Sequence, residues 1–153
     1  VVQLMIFYFV LLGPYTTLDK TMIGAVAFGC NSGAYVAEIV RAGILSINVG
    51  QYEAGRSLGL TEWMTMRKII LPQAFKNILP ALGNELIVLV KETSVLGYIG
   101  VVDLARAGEQ IRARTLDAFM PLLAVAAVYY VIVKLLSYLL SLLERRLRES
   151  DKR

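Results

Sequence analysis

AFMPLLAVAAVYYVIVKLLSYLLSLL, residues Ala118–Leu143, is the stretch on which the fold turns. Its single charge is Lys134. A helix needs about 20 mostly apolar residues to cross a bilayer, so these residues read as a complete membrane span. Three other stretches come near that length: residues 1–13, Met22 to Ile47, and Leu79 to Val102. Four apolar runs in 153 residues, joined by short polar links, point to an all-α, polytopic transmembrane helical bundle rather than a soluble core. The composition agrees, with 57% apolar residues, 18% charged and a mean hydropathy of +0.61. Soluble domains carry about a quarter charged residues. This balance argues against a disordered or nucleic-acid-binding chain. Histidine is absent, and Cys30 is the single cysteine. His-based catalysis, His or Cys metal sites and an intrachain disulfide are therefore excluded, and no metal or cofactor is expected. By length this is one domain.

Val1 is not an initiator Met, and the run Val1–Leu12 is apolar from its first residue. Neither a basic n-region nor a small-residue cleavage site is visible. The opening is read as the second half of a span, N-terminally truncated. Orientation follows from Lys and Arg in short links. The link after the second stretch carries Arg56, Arg67, Lys68 and Lys76, with Arg41 just before it. The C-terminal tail carries Arg145, Arg146, Arg148, Lys152 and Arg153. The other two links carry Lys20 alone and Arg106, Arg112 and Arg114. Five basic residues on each of the first two segments, against one and three, place the 48–73 link and the tail in the cytoplasm. The expected organisation is a membrane domain over residues 1–147 and a short basic cytoplasmic tail over 148–153.

Small residues crowd the second stretch: Gly24, Ala25, Ala27, Gly29, Ser32, Gly33, Ala34 and Ala37. Gly29 and Gly33 have GxxxG spacing, so these positions are expected to pack helices, with Cys30 as a small buried residue among them. The cytoplasmic link carries helix punctuation of its own. Asn48 with Gln51 three residues on resembles a capping box that opens a helix over Val49–Leu58. Gly59 falls where a left-handed residue ends such a helix. Thr61 caps a second helix, with Glu62 favoured by its N-terminal dipole. Pro72 is expected to stop that helix. Two short helices with a tight turn read either as an interfacial segment resting on lipid or as a docking element for a cytosolic partner.

At this link the residues resemble a family. Glu53-Ala54-Gly55, then Gly59, then Ile69, Leu71 and Pro72 are similar to the Glu-Ala-Ala…Gly…Ile-x-Leu-Pro loop of the membrane-spanning subunits of bacterial ABC importers, with matching spacing. Asn31 to Ile44, Leu71-Pro72-Gln73-Ala74, Leu79 to Glu85 and Lys91-Glu92-Thr93-Ser94 resemble the polar amino acid uptake branch of that family. The likeness covers nearly the whole chain. Gly55 departs from the usual Ala, which loosens a helix by up to about 1 kcal/mol. The resemblance implies a type I importer bundle, of which family members have five spans, so that one span and part of another would be missing here. It also implies that the 48–73 loop is a coupling helix seated on a cytosolic ABC ATPase subunit. Glu53 would contact that ATPase, and Ala54 and Gly55 would allow close backbone approach. The other implied partners are a second permease subunit, as homo- or heterodimer, an extracytoplasmic solute-binding protein, and the lipid of the bacterial inner membrane. The sequence has no GxxxxGK[ST] phosphate loop, so ATP hydrolysis is assigned to the partner.

Polar groups at membrane depth are costly and usually face a cavity or a partner. The candidates for a substrate path are Asn31, Glu38, Lys91, Glu92, Thr93 and Ser94. Lys91, Thr93 and Ser94 would serve a carboxylate, and Glu38 or Glu92 an amine. The structural alternative is that Lys91 and Glu92 neutralise each other and that Glu38 pairs with Arg41 at i+3. Rival functions are an ion channel or secondary carrier with a self-sufficient path, and a non-transporting membrane scaffold.

Overall fold

A computed structural model of the chain describes residues 1–149, with side chains through Arg145. The expected tail thus begins inside the last helix, while residues 150–153 and the side chains of residues 146–149 lie outside the described residues. The elements are all helical: α1 (Val2–Ile6) running into a π-helical stretch (Phe7–Leu12), α2 (Lys20–Leu45), α3 (Val49–Ser57), α4 (Glu62–Thr65) running into a π-turn (Met66–Ile70), α5 (Leu71–Glu92), a 3₁₀ stretch (Thr93–Ile99), α6 (Leu104–Thr115) and α7 (Phe119–Glu149). Among the described residues two helices are long and apolar enough to cross a membrane, Lys20–Leu45 and Phe119–Arg145. The third apolar stretch, Leu79 to Val102, is not one continuous α-helix: α5, which begins at Leu71, stops at Glu92, the 3₁₀ stretch follows, and Gly100 at φ 81° turns the chain. Hydropathy detects apolar content and is blind to this change of helix type.

The chain divides into two compact units. The first holds Val1–Gly33 and Leu86–Leu139. Its core is Leu4, Ala27 and Ile99, packed against Phe7, Tyr8, Val95, Leu96 and Val101. Gly24 of α2 lies under Leu96, and Gly108 of α6 under Val125, each so close that a methyl group would overlap the neighbour. Asp19 opens α2 by accepting from the Thr21 N–H at 3.2 Å. Hydrogen bonds from the Thr21 side chain and backbone hold its carboxyl below the usual carboxylate range.

The second unit holds Ala34–Glu85 and the chain from Leu140. Ile70 at the end of the π-turn and Ala74 and Ile78 of α5 form a buried stripe, spaced four apart as one helix face requires. Ile78 packs over Gly43 of α2, and Leu140 of α7 over Gly83 of α5. Asn77 Nδ2 donates to Ser46 Oγ at 2.9 Å, tying α5 to the end of α2. Close helix approach therefore uses Gly24, Gly43, Gly83 and Gly108. Among the described residues no neighbour packs against the GxxxG pair: Gly29 and Gly33 have open space beyond their α-carbons, and Cys30 is exposed rather than buried.

Candidate coupling segment and intramembrane polar groups

Asn48 caps α3 by accepting from the Gly50 N–H at 2.8 Å. Gln51 does not complete a capping box; its Oε1 accepts instead from Gln73 Nε2 at 3.5 Å. Gly59 takes φ 78°, the left-handed conformation that ends α3. Arg56 Nη1 donates to the Leu60 carbonyl at 2.7 Å and closes the turn. Thr61 Oγ1 then accepts from the Met64 N–H at 3.3 Å and starts α4.

Pro72 does not stop the helix. The N–H of Leu71 bonds five residues back to the Met66 carbonyl, and the chain proceeds into α5. Proline has no N–H to give, and the wide turn just before it re-routes the ladder. Gln73 Nε2 donates to the Ile69 carbonyl at 2.9 Å, a side-chain bond across this irregular turn.

Gly55 and Ala54 part company. Ala54 is exposed with Glu53, whereas Gly55 is buried. A Cβ on Gly55 would stand 2.7 Å from Thr65 Cγ2 and 3.0 Å from Ile69 Cδ1. Its small size therefore brings α3 against α4 and the π-turn, and does not open an outward face. Ile69 is half-buried in the same contact, while Leu71 and Pro72 are exposed. Glu53, Leu58 at 80% exposure and Trp63 at 68% are open to solvent on the two short helices and the turn between them.

The intramembrane candidates are not one cluster. In the first unit Asn31 and Glu92 line a cavity of about 250 Å³ together with Gln3, Phe28 and Val95. Lys91, next in sequence to Glu92, faces a different groove beside α7. No ion pair joins Lys91 to Glu92 among the described residues. Thr93 Oγ1 donates to the Val90 carbonyl at 2.7 Å, and Ser94 Oγ to the Lys91 carbonyl at 2.8 Å. Both hydroxyls thus spend their protons on the end of α5. Glu38 belongs to the second unit, where its carboxylate stands 3.8 Å from Arg41, both side chains 71% exposed. Sequence reasoning missed Lys134, which lines the same groove as Lys91; its place within an apolar span was the available signal.

The pattern of the family described as "Binding-protein-dependent transport system inner membrane component" matches residues 1–149. A putative glutamine transport system permease protein of Rickettsia bellii is 41% identical over 149 residues, 95% of this chain and 67% of that protein. The glutamine transport system permease protein of Escherichia coli K12 is 44% identical over 150 residues, 97% of this chain and 68% of that protein. The arginine transport system permease protein of Bacillus subtilis is 44% identical over 154 residues, 99% and 69% of the two chains. The crystal structure of an amino acid ABC transporter with histidines superimposes with a TM-score of 0.89 at 48% identity, over 95% of this chain and 68% of that one. The motif order around Gly59, the all-α fold and these matches agree, and the chain belongs to the family of inner-membrane permease components of binding-protein-dependent ABC transport systems, the membrane part that is not itself the ATPase.

Proposed function

We propose that this chain forms the translocation path of an ATP-driven importer for polar amino acids in the bacterial cytoplasmic membrane. The observation that carries the reading is the near-complete match to permeases whose names give glutamine and arginine as cargo. The chain pairs with a second permease subunit, like or unlike. Cytosolic ATPase subunits seat on the 48–73 loop, and an external solute-binding protein delivers cargo. Glu53, Ala54 and Trp63 meet the ATPase directly. Gly55, Gly59, Ile69, Leu71 and Pro72 shape the surface from behind or beside it. When the ATPases close, the loops are drawn together and the spans rock as rigid bodies, switching access to the path.

Within the path, Asn31 and Glu92 supply an acceptor pair for the ammonium of an amino acid. A carboxylate beside a carboxamide oxygen in a walled cavity suits a cation that sheds its water. Glu38, already beside Arg41, is better placed as an exposed ion pair than as a substrate ligand. The test is an uptake panel of labelled amino acids, using the full-length permease with its ATPase and binding protein in proteoliposomes. Uptake of at least one polar amino acid should require internal ATP and survive an uncoupler. Uptake that persists without ATP and collapses with the uncoupler would overturn the reading in favour of a secondary carrier.

A further inference from the structure

The cavity lined by Asn31 and Glu92 adjoins another in the first unit. The neighbour encloses about 690 Å³, and Val1 and Val95 line both. Ser94, Tyr98, Arg106 and Glu109 wall the second cavity, between the 3₁₀ stretch and the start of α6. Its volume is that of a small-molecule site, roughly 300–1,000 Å³. The two cavities differ in charge. Glu92 is the one charged side chain lining the first. In the second, Glu109 is already paired with Arg112, whereas Arg106 has no ion-pair partner among the described residues. Lys20 brings a second cation: its Nζ stands 3.3 Å from where a Cβ on Gly100 would lie, and Gly100 lines the same cavity. Lys20 also lacks an ion-pair partner among the described residues, with the Tyr8 ring centre 5.9 Å away.

Arg106 is fixed by its backbone and by its stem. Its N–H donates to Asp103 Oδ1 at 2.8 Å, the cap of α6. Its Cβ and Cδ pass 3.6 and 3.8 Å from where a Cβ on Gly97 would lie, so the stem rests on the 3₁₀ stretch. From Glu92 to Gly97 that stretch climbs about 10 Å, at about 2 Å per residue. An ammonium and a carboxylate on one α-carbon lie about 3 Å apart. A charge-assisted hydrogen bond of about 2.8 Å at each end extends that reach to about 9 Å. A single amino acid zwitterion therefore matches the step from Glu92 to the level at which Arg106 crosses.

We propose that Arg106 is the carboxylate ligand of the solute in transit, with Lys20 as the second cation of that cavity, so that the amino acid lies with its ammonium on Asn31 and Glu92 and its carboxylate toward α6. The inference deepens the reading of the chain as an amino acid permease and rests on it. Lys20 and Arg106 both belong to the links read as extracytoplasmic, so the cationic cavity is the outer one and the solute enters ammonium first.

The test uses the full-length permease, assembled with its second subunit and ATPases in nanodiscs, without binding protein. The labelled amino acid found active in the uptake panel is displaced by itself or by its α-carboxamide, which lacks the negative charge. The wild type should prefer the acid over the amide by at least about tenfold. Arg106→Gln should reduce that preference to about threefold or less, Lys20→Gln should reduce it in the same direction, and Arg106→Lys should retain most of it. Lys20→Gln, on another helix, repeats the test if Arg106→Gln does not assemble with the ATPase. No displaceable binding by the wild type, equal binding of acid and amide, or an unchanged preference in an assembled Gln variant would overturn the proposal. An unchanged preference in Arg106→Gln together with weaker association of the binding protein would assign Arg106 to protein docking instead. Failure of the permease reading itself shows separately, as absence of ATP-dependent uptake of any amino acid by the wild type.

Discussion

Thr65 is fully buried, and its hydroxyl has no hydrogen-bond partner among the described residues. An orphaned buried hydroxyl is expensive, and an apolar group of the same shape avoids the cost. Thr65→Val should therefore stabilise the loop by about 1 kcal/mol, read as a raised unfolding temperature of the purified permease. An unchanged or lower temperature would contradict this account of the Gly55–Thr65 contact. Gly59 works in the opposite direction. At φ 78° a β-branched residue costs on the order of 1–3 kcal/mol, so Gly59→Val should insert normally but lose ATPase in co-purification. Asn48, Gly59 and Thr61 were legible in the sequence because capping and left-handed positions are local and choose their residues by chemistry. Gly55 and Gln51 were not, because what stands against each comes from residues ten or more positions away, and the exposure of Cys30 likewise depends on how the helices pack. Lys91 and Glu92 show the same limit: adjacency in sequence looked like pairing, yet one helical residue step is about 100° and sends the two groups to different cavities.

At the scale of elements, α3 and α4 form a small platform on which function can be changed without unfolding the membrane helices. Glu53→Lys reverses an exposed charge, and Trp63→Ala removes a large exposed aromatic. Each should weaken ATPase association on the order of tenfold, measured as the concentration of ATPase subunit needed for half-maximal assembly. Full-strength assembly by both variants would remove this face from the coupling role. The long apolar helices α2 and α7 were readable from hydropathy because length and composition suffice for them. The end of α5 was not readable in that way. There the Thr93 and Ser94 hydroxyls bond back to the helix and the chain tightens to 3₁₀ before Gly100, all inside a stretch that remains apolar.

For the whole molecule the fold class and the family were legible from one sequence, because bilayer thickness fixes helix length and the loop motif keeps its spacing. Orientation is testable with one cysteine. With Cys30 removed, a cysteine replacing the exposed Ser57 should resist an impermeant thiol reagent in intact cells and react once the membrane is opened. Ready labelling from outside would invert the topology. The π-turn at Met66–Ile70 gives the molecule a further property, one of phase. A wide turn behaves as an ordinary helix holding one surplus residue, and each residue carries the helix face round by about 100°. Deleting Lys68 would remove the surplus residue and let the ladder run in plain α register with Ile78 still facing Gly43, whereas the same deletion from the regular turns of α5 ahead of Ile78 would swing that residue away. The π-turn is thus slack in the screw: it holds a residue that the phase between loop and span does not count.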